Sequence, residues 1–163
     1  VRFGLVGRGA LAQEVYERAK AAGVLDRNLF VRGAVPKADV PKLLRCAQMA
    51  TSTMAPVREL EDNSANKFFD ALANGVPVAL NYGGWQADLV REYGAGVVLN
   101  QARPAESAHR LSHVLRNEAG LAAMREGAAR LAADHFDRER LTTRLEAVLE
   151  RAAGPSPAAA AGW

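Results

Sequence analysis

The 163-residue chain is 49% hydrophobic and 24% charged, a globular balance that excludes wholesale disorder and gives one domain as the expectation. Its 21 Lys and Arg against 18 Asp and Glu leave a formal charge of +3, mild enough to permit an anionic ligand or membrane surface without requiring either. The single cysteine, Cys46, excludes a disulfide framework and a cysteine-based zinc site, and it fits a reducing compartment.

The chain opens on Val1, directly in an apolar strand pattern, and reads as a segment of a longer protein. Phe3-Gly4-Leu5-Val6 predicts a buried strand that leaves the sheet through the glycine turn Gly7-Arg8-Gly9. Leu11, Val15, Ala19 and Ala22 recur at helical spacing, which predicts a helix closed by Gly23. Leu29-Phe30-Val31 predicts a second strand ended by Gly33. A short helix follows from Asp39 or Val40 to Ala47, with Pro41 tolerable in its first turn. Met49 to Thr53 reads as the third strand. The polar stretch from Pro56 to Ser64 reads as a loop, with Ser64 as N-cap of a helix that runs to Asn74 and stops at Gly75. Val76 to Leu80 is the fourth strand, Trp85 to Tyr93 a helix, and Gly96 to Leu99 the fifth strand. Beyond Pro104 only helical patterns follow, over 106–116, 118–133 and 138–152.

Strands alternating with short helices imply parallel pairing through right-handed crossovers. The strands are continuous apolar runs, so helices should cover both sheet faces. The expected fold is α/β, a doubly wound parallel sheet over residues 1–152 with a helical C-terminal extension, followed by a disordered tail over 153–163. No apolar run approaches the ~18 residues of a membrane-spanning helix. The three histidines are scattered and read as structural or solvated.

In a doubly wound sheet the ligand lies beyond the C-terminal strand ends, which directs attention to four loops, Gly7–Ala10, Gly33–Lys37, Met54–Lys67 and Asn81–Gln86. Gly7-Arg8-Gly9-Ala10-Leu11-Ala12 fits G-x-G-x-x-A between a strand and a helix. This pattern serves a dinucleotide, a mononucleotide, or merely strand–helix packing. The second strand ends in Arg32, where an NAD site wants an acid; an arginine there suits the 2′-phosphate of NADP. Ser64-Ala65-Asn66-Lys67 lies at a helix N-terminus, where free amides and the dipole favour an anion and Lys67 adds an ammonium. Asp70, one turn further in, suits a ribose hydroxyl pair; as a bland alternative it is a solvated helix acid. In Asn81-Tyr82-Gly83-Gly84-Trp85-Gln86 the glycines let backbone amides approach a ligand, and Trp85 is either a packing anchor or a stacking platform.

The run Phe30–Val35, the Cys46-Ala47-Gln48-Met49-Ala50 segment, Asn66-Lys67-Phe68-Phe69-Asp70-Ala71-Leu72-Ala73-Asn74-Gly75-Val76-Pro77-Val78-Ala79 and Gly83-Gly84 stand in an order and spacing that resembles the C-terminal domain of GT-B glycosyltransferases. The group is the retaining one called group 1 or family 4. Asn63-Ser64-Ala65-Asn66-Lys67-Phe68-Phe69-Asp70 resembles members that build bacterial O-antigen, capsule and other surface polysaccharides.

The resemblance implies a nucleoside diphosphate sugar donor, a UDP-sugar first, with no separate cofactor and no metal. It places the base at Arg32, Gly33 and Val35. The phosphates fall to Ser64, Ala65, Asn66 and Lys67 and the ribose to Asp70, while Gly7, Arg8, Gly83 and Gly84 stay nucleotide-contact candidates from their glycine turns. The first acid of the family's acidic pair counts back to Asp62, beside the donor sugar; Glu61 or Glu59 takes that place if the loop shifts. Asp62 and Lys67 are thus the catalytic candidates. The implied partners are the donor and an N-terminal acceptor domain preceding Val1, with a further strand whose Arg and Lys grip the diphosphate. No nucleic acid is implied. The implied location is cytoplasmic, with peripheral contact at the inner membrane face. The rival readings are a GT-B-shaped sugar-nucleotide epimerase, an NADP-dependent oxidoreductase and a non-catalytic sugar-nucleotide sensor. Fold alone does not separate them.

Overall fold

The computed structural model describes residues 1–154. Among these residues five strands alternate with helices as expected and helices alone follow the last of them: β1 (Phe3–Val6), α1 (Ala12–Ala21), β2 (Leu29–Arg32), α2 (Val40–Arg45), β3 (Ala50–Ser52), α3 (Asn66–Ala73), β4 (Val78–Leu80), α4 (Trp85–Tyr93), β5 (Gly96–Val98), α5 (Pro104–Val114), α6 (Glu118–His135) and α7 (Arg138–Ala153). The fold is α/β with parallel strands throughout.

The strands form two ladders. β1 pairs with β2, Phe3 opposite Leu29 and Val6 opposite Arg32. β4 lies between β3 and β5, with Val78 opposite Ala50 on one side and Gly96 on the other. No hydrogen-bonded ladder joins β1 to β3 among the described residues. In the usual doubly wound order another strand stands between those two positions.

Alternation along β4 explains the core. Val78 and Leu80 face Phe68, Leu72, Val90, Ala128 and Leu131 of α3, α4 and α6. Ala79 faces the other way, toward Val97 and Leu111, with Val114 and Met124 beside them. Both faces of this ladder are therefore covered, as its continuous apolar strands require. The β1–β2 ladder departs from that expectation. β1 is exposed along its whole length, with Phe3 at 43%, Leu5 at 46% and Val6 at 41%. The reason is that little packs on its faces: β1 belongs to neither core cluster.

Three local expectations are corrected. The loop over 56–64 contains a 3-10 turn, Arg58–Asp62. The N-cap of α3 is Ala65, and Ser64 stands one residue outside it. At the C-terminus α7 continues through Ala153, so the expected tail does not begin there; its remainder, 155–163, lies outside the described residues. Gly75, at φ +64°, stops α3 where the sequence placed the stop. Among the described residues no helix is long and apolar enough to cross a membrane.

Candidate functional site

The expected site residues collect at the C-terminal ends of both ladders, in two groups. The first is built on β1 and β2. Gly7 donates its amide to the Arg32 carbonyl at 3.1 Å, which sets the Gly7-Arg8 turn beside Arg32 and Gly33. The Arg32 guanidinium folds back, donating to the Val31 carbonyl at 2.9 Å and lying 3.5 Å from Asp26 Oδ1. Gly7, Arg8, Arg32 and Gly33 are exposed, and Val35 is half-buried.

The second group surrounds the start of α3. Ala65, the N-cap, is extended (φ −75°, ψ 121°) and has no side-chain acceptor. The first helical bond runs from the Phe68 amide to the Ala65 carbonyl at 2.9 Å. The amides of Asn66 and Lys67 therefore keep their hydrogens free among the described residues, carrying the positive end of the helix dipole. Lys67 is exposed and its Nζ donates to the Thr53 carbonyl at 3.2 Å, so the ammonium spans from α3 to the end of β3. Asp70 is half-buried one turn further in. Its backbone carbonyl accepts from Asn74 Nδ2 at 2.8 Å, while no hydrogen bond or ion pair engages its carboxylate among the described residues.

Glu59, Glu61 and Asp62 share the exposed 3-10 turn. Of these, Glu61 abuts the Gly83-Gly84 turn after β4. A Cβ on Gly83 would lie 3.3 Å from Glu61 Oε2, and one on Gly84 would lie 2.5 Å from the Glu61 carbonyl oxygen. Gly84 also has φ +79°, so close approach and backbone both demand glycine there. Asn63 donates through Nδ2 to the Leu60 carbonyl and closes the turn. Its Oδ1 is buried without a partner, an acceptor that nothing among the described residues satisfies.

Residues not singled out from sequence hold this group together. Asn81 accepts from the Met54 amide at 2.8 Å and donates to the Met54 carbonyl at 3.0 Å, and Gln101 donates to the same carbonyl at 2.7 Å. An Asn directly after a strand was the available signal for the first; Gln101 gave none. Trp85 is half-buried, packed among Phe68, Phe69 and Phe136 with ring centroids 6.1–6.3 Å away. Two shallow concavities, along α5 and beside α7, lie away from these loops. No group of three or more metal-ligating side chains occurs among the described residues.

A family model described as "Glycosyl transferases group 1" matches residues 1–117. The chain belongs to the group 1 glycosyl transferases. A search of curated proteins finds no significant match. Among solved structures, this transferase domain is similar to Anabaena Alr3699/HepE solved with UDP-glucose. The two are 19% identical with a TM-score of 0.75, over 91% of this chain and 40% of that one. The same protein solved with UDP and glucose gives a TM-score of 0.76. A variant of TarM from S. aureus, solved with fondaparinux, α-GlcNAc-glycerol and UDP, is 16% identical. Its TM-score is 0.71, over 89% of this chain and 28% of that one. At such identities the likeness is one of fold, and the fold is that of these GT-B glycosyltransferases. The chain spans well under half the length of either relative.

Proposed function

We propose that this chain is the donor-nucleotide-binding lobe of a retaining hexosyltransferase, which moves a sugar from a UDP-sugar to a polysaccharide or lipid-linked acceptor. One observation carries the reading: an uncapped α3 N-terminus with Lys67 beside it and the open carboxylate of Asp70 one turn in. That array matches a nucleoside diphosphate, negative at the phosphates and rich in hydroxyl donors at the ribose. The solved relatives that hold UDP support the same ligand class.

On this reading the amides of Asn66 and Lys67 and the Lys67 ammonium receive the diphosphate as its negative charge grows during departure. Fixed donors of this kind stabilise the transition state most where charge develops. Asp70 accepts from the ribose hydroxyls. The backbone at Arg32–Val35 meets the base, and an acid of the Arg58–Asp62 turn, Asp62 by spacing, faces the donor sugar. An acceptor domain elsewhere in the full protein closes the cleft, and a strand from outside these residues completes the sheet between β1 and β3. The full enzyme works in the cytoplasm and meets the membrane peripherally.

Calorimetric titration with UDP, GDP, ADP and NADPH tests the assignment. UDP or another nucleoside diphosphate should bind, and binding of NADPH alone would overturn the reading in favour of an oxidoreductase. A labelled-donor assay with membrane extract as acceptor source separates lobe from whole enzyme. This chain alone should give no transfer above a Lys67→Ala/Asp70→Asn control, because one lobe cannot close a water-excluding cleft. Transfer above that control would place the whole catalytic machinery within these residues.

A further inference from the structure

The loop from β3 to α3 carries the start of the candidate diphosphate site; Asn63 closes its last turn on Leu60, but Ala65 caps nothing with its side chain, so a further anchor is needed to hold the exit. The anchor comes from a buried chain of polar groups. Ser52 closes β3, Tyr82 follows β4, and Gln86 sits in the first turn of α4; they are 1%, 6% and 0% exposed. Ser52 Oγ lies 2.9 Å from the Tyr82 hydroxyl. That hydroxyl lies 2.5 Å from Gln86 Oε1, and Gln86 Nε2 donates to the Asn63 carbonyl at 3.0 Å.

The direction of every hydrogen bond follows from the last one. A carbonyl only accepts, so the amide of Gln86 must turn its NH2 to Asn63 and its Oε1 to Tyr82. The tyrosine proton is then committed to Gln86, and Ser52 must donate to Tyr82. The result is a one-way chain, each member polarising the next, in surroundings where an unpaired polar group is costly. It runs from the end of β3 to a carbonyl immediately before Ser64 and Ala65. Asn81, on Met54, pins the other end of the same loop.

We propose that Ser52, Tyr82 and Gln86 are positioning residues for the donor-diphosphate site: through the Asn63 carbonyl they fix the loop exit and so aim the free amides of Asn66 and Lys67. This rests on reading the α3 N-terminus as the diphosphate site. None of the three needs to touch the ligand. Gln86→Met keeps the shape and removes both polar ends; Tyr82→Phe removes the bonds to Ser52 and to Gln86 Oε1 and leaves the Gln86–Asn63 bond.

The test combines hydrogen–deuterium exchange of the unliganded chain with calorimetric UDP binding. In Gln86→Met, exchange over 63–68 should accelerate about tenfold, the scale of one lost buried hydrogen bond, while β4 and α6 keep their protection. UDP affinity should fall about fivefold to tenfold by the same reasoning. Tyr82→Phe should show both effects in smaller measure, and it carries the test if Gln86→Met does not fold. Folded variants with unchanged exchange over 63–68, or with accelerated exchange and unchanged UDP affinity, would overturn the positioning role and leave the nucleotide site standing. Failure of the unmutated chain to bind any nucleoside diphosphate would instead overturn the site reading and this proposal together.

Discussion

Replacing Lys67 by alanine removes the one side-chain cation at the start of α3 while disturbing little else. The side chain is exposed and sits in the first turn of the helix, and its sole protein contact of note is the 3.2 Å bond to the Thr53 carbonyl. An exposed substitution of this kind shifts stability by no more than about 0.5 kcal/mol, and alanine is the better helix former. The ammonium has three hydrogens, so the bond to Thr53 leaves two for a phosphate, and binding need not break it. A charge-assisted hydrogen bond is worth about 1.5–3 kcal/mol, which converts to a tenfold to roughly hundredfold loss of UDP affinity. Because Lys67 faces solvent, its contribution is screened by salt. The unmutated chain should therefore lose affinity as salt rises, and Lys67→Ala should flatten that dependence. Calorimetry at low and high salt, with a circular-dichroism melt as the folding control, reads both effects. A folded Lys67→Ala chain with unchanged affinity and unchanged salt slope would refute the assignment of the diphosphate to α3.

Asp70→Asn keeps the size and one acceptor but loses the charge that strengthens bonds from the ribose hydroxyls. It should weaken UDP more than its 2′,3′-dideoxy analogue in parallel titrations, and equal losses would make Asp70 a structural helix acid. Phe68 is 0% exposed, with ring centroids of Phe69, Phe136 and Trp85 5.3–6.1 Å away; Phe68→Ala should cost about 3–5 kcal/mol in urea unfolding. The Tyr93 phenol is held above its ordinary value of 10.0, by desolvation first and then by Asp134, which accepts its hydrogen bond at 3.2 Å. The unfolded chain releases that proton first, so this contribution is intact below the ordinary value and is lost as pH rises through the folded one. Tyr93→Phe should then show a smaller drop in urea midpoint than the unmutated chain between about pH 9 and about pH 11.

Strand and helix alternation was legible because it rests on local signals. The Trp85–Tyr93 helix and the Phe3–Val6 strand were read at their observed limits, the first bounded by glycine and the second ending in a glycine turn. The errors fall where tertiary packing decides. Serine is the better cap by local chemistry, yet Ala65 stands at the cap, after an exit held by Gln86 on the Asn63 carbonyl as well as by Asn63 on Leu60. The polar composition around Arg58–Asp62 points to a loop and carries no signal of the 3-10 turn. What shapes it is contact with Gly83 and Gly84, distant in sequence. The network through Ser52 and Gln86 left only a faint trace, a glutamine placed where the apolar face of α4 runs. The apolar residues of β1 say that the strand wants cover, not that these residues supply it.

The two ladders bear unequal shares of one function. The β3–β5 ladder, with the full core of α3, α4 and α6 behind it, carries the groups suited to phosphate and ribose. Its loops are fixed by hydrogen bonds from Asn81, Gln86 and Gln101, so ordering them on ligand binding costs little. The β1–β2 ladder carries the groups assigned to the base. It contributes no residue to either core cluster, and its strand β1 is exposed throughout. Few buried apolar contacts mean a low free energy of local opening, so the β1–β2 half is the less preorganised one. A strand placed between β1 and β3 would hydrogen-bond to both edges and bring the halves into one sheet. On the proposed reading, the contacts at the start of α3 are therefore the preorganised ones, and those at Arg32–Val35 are the ones a nucleotide must order as it binds.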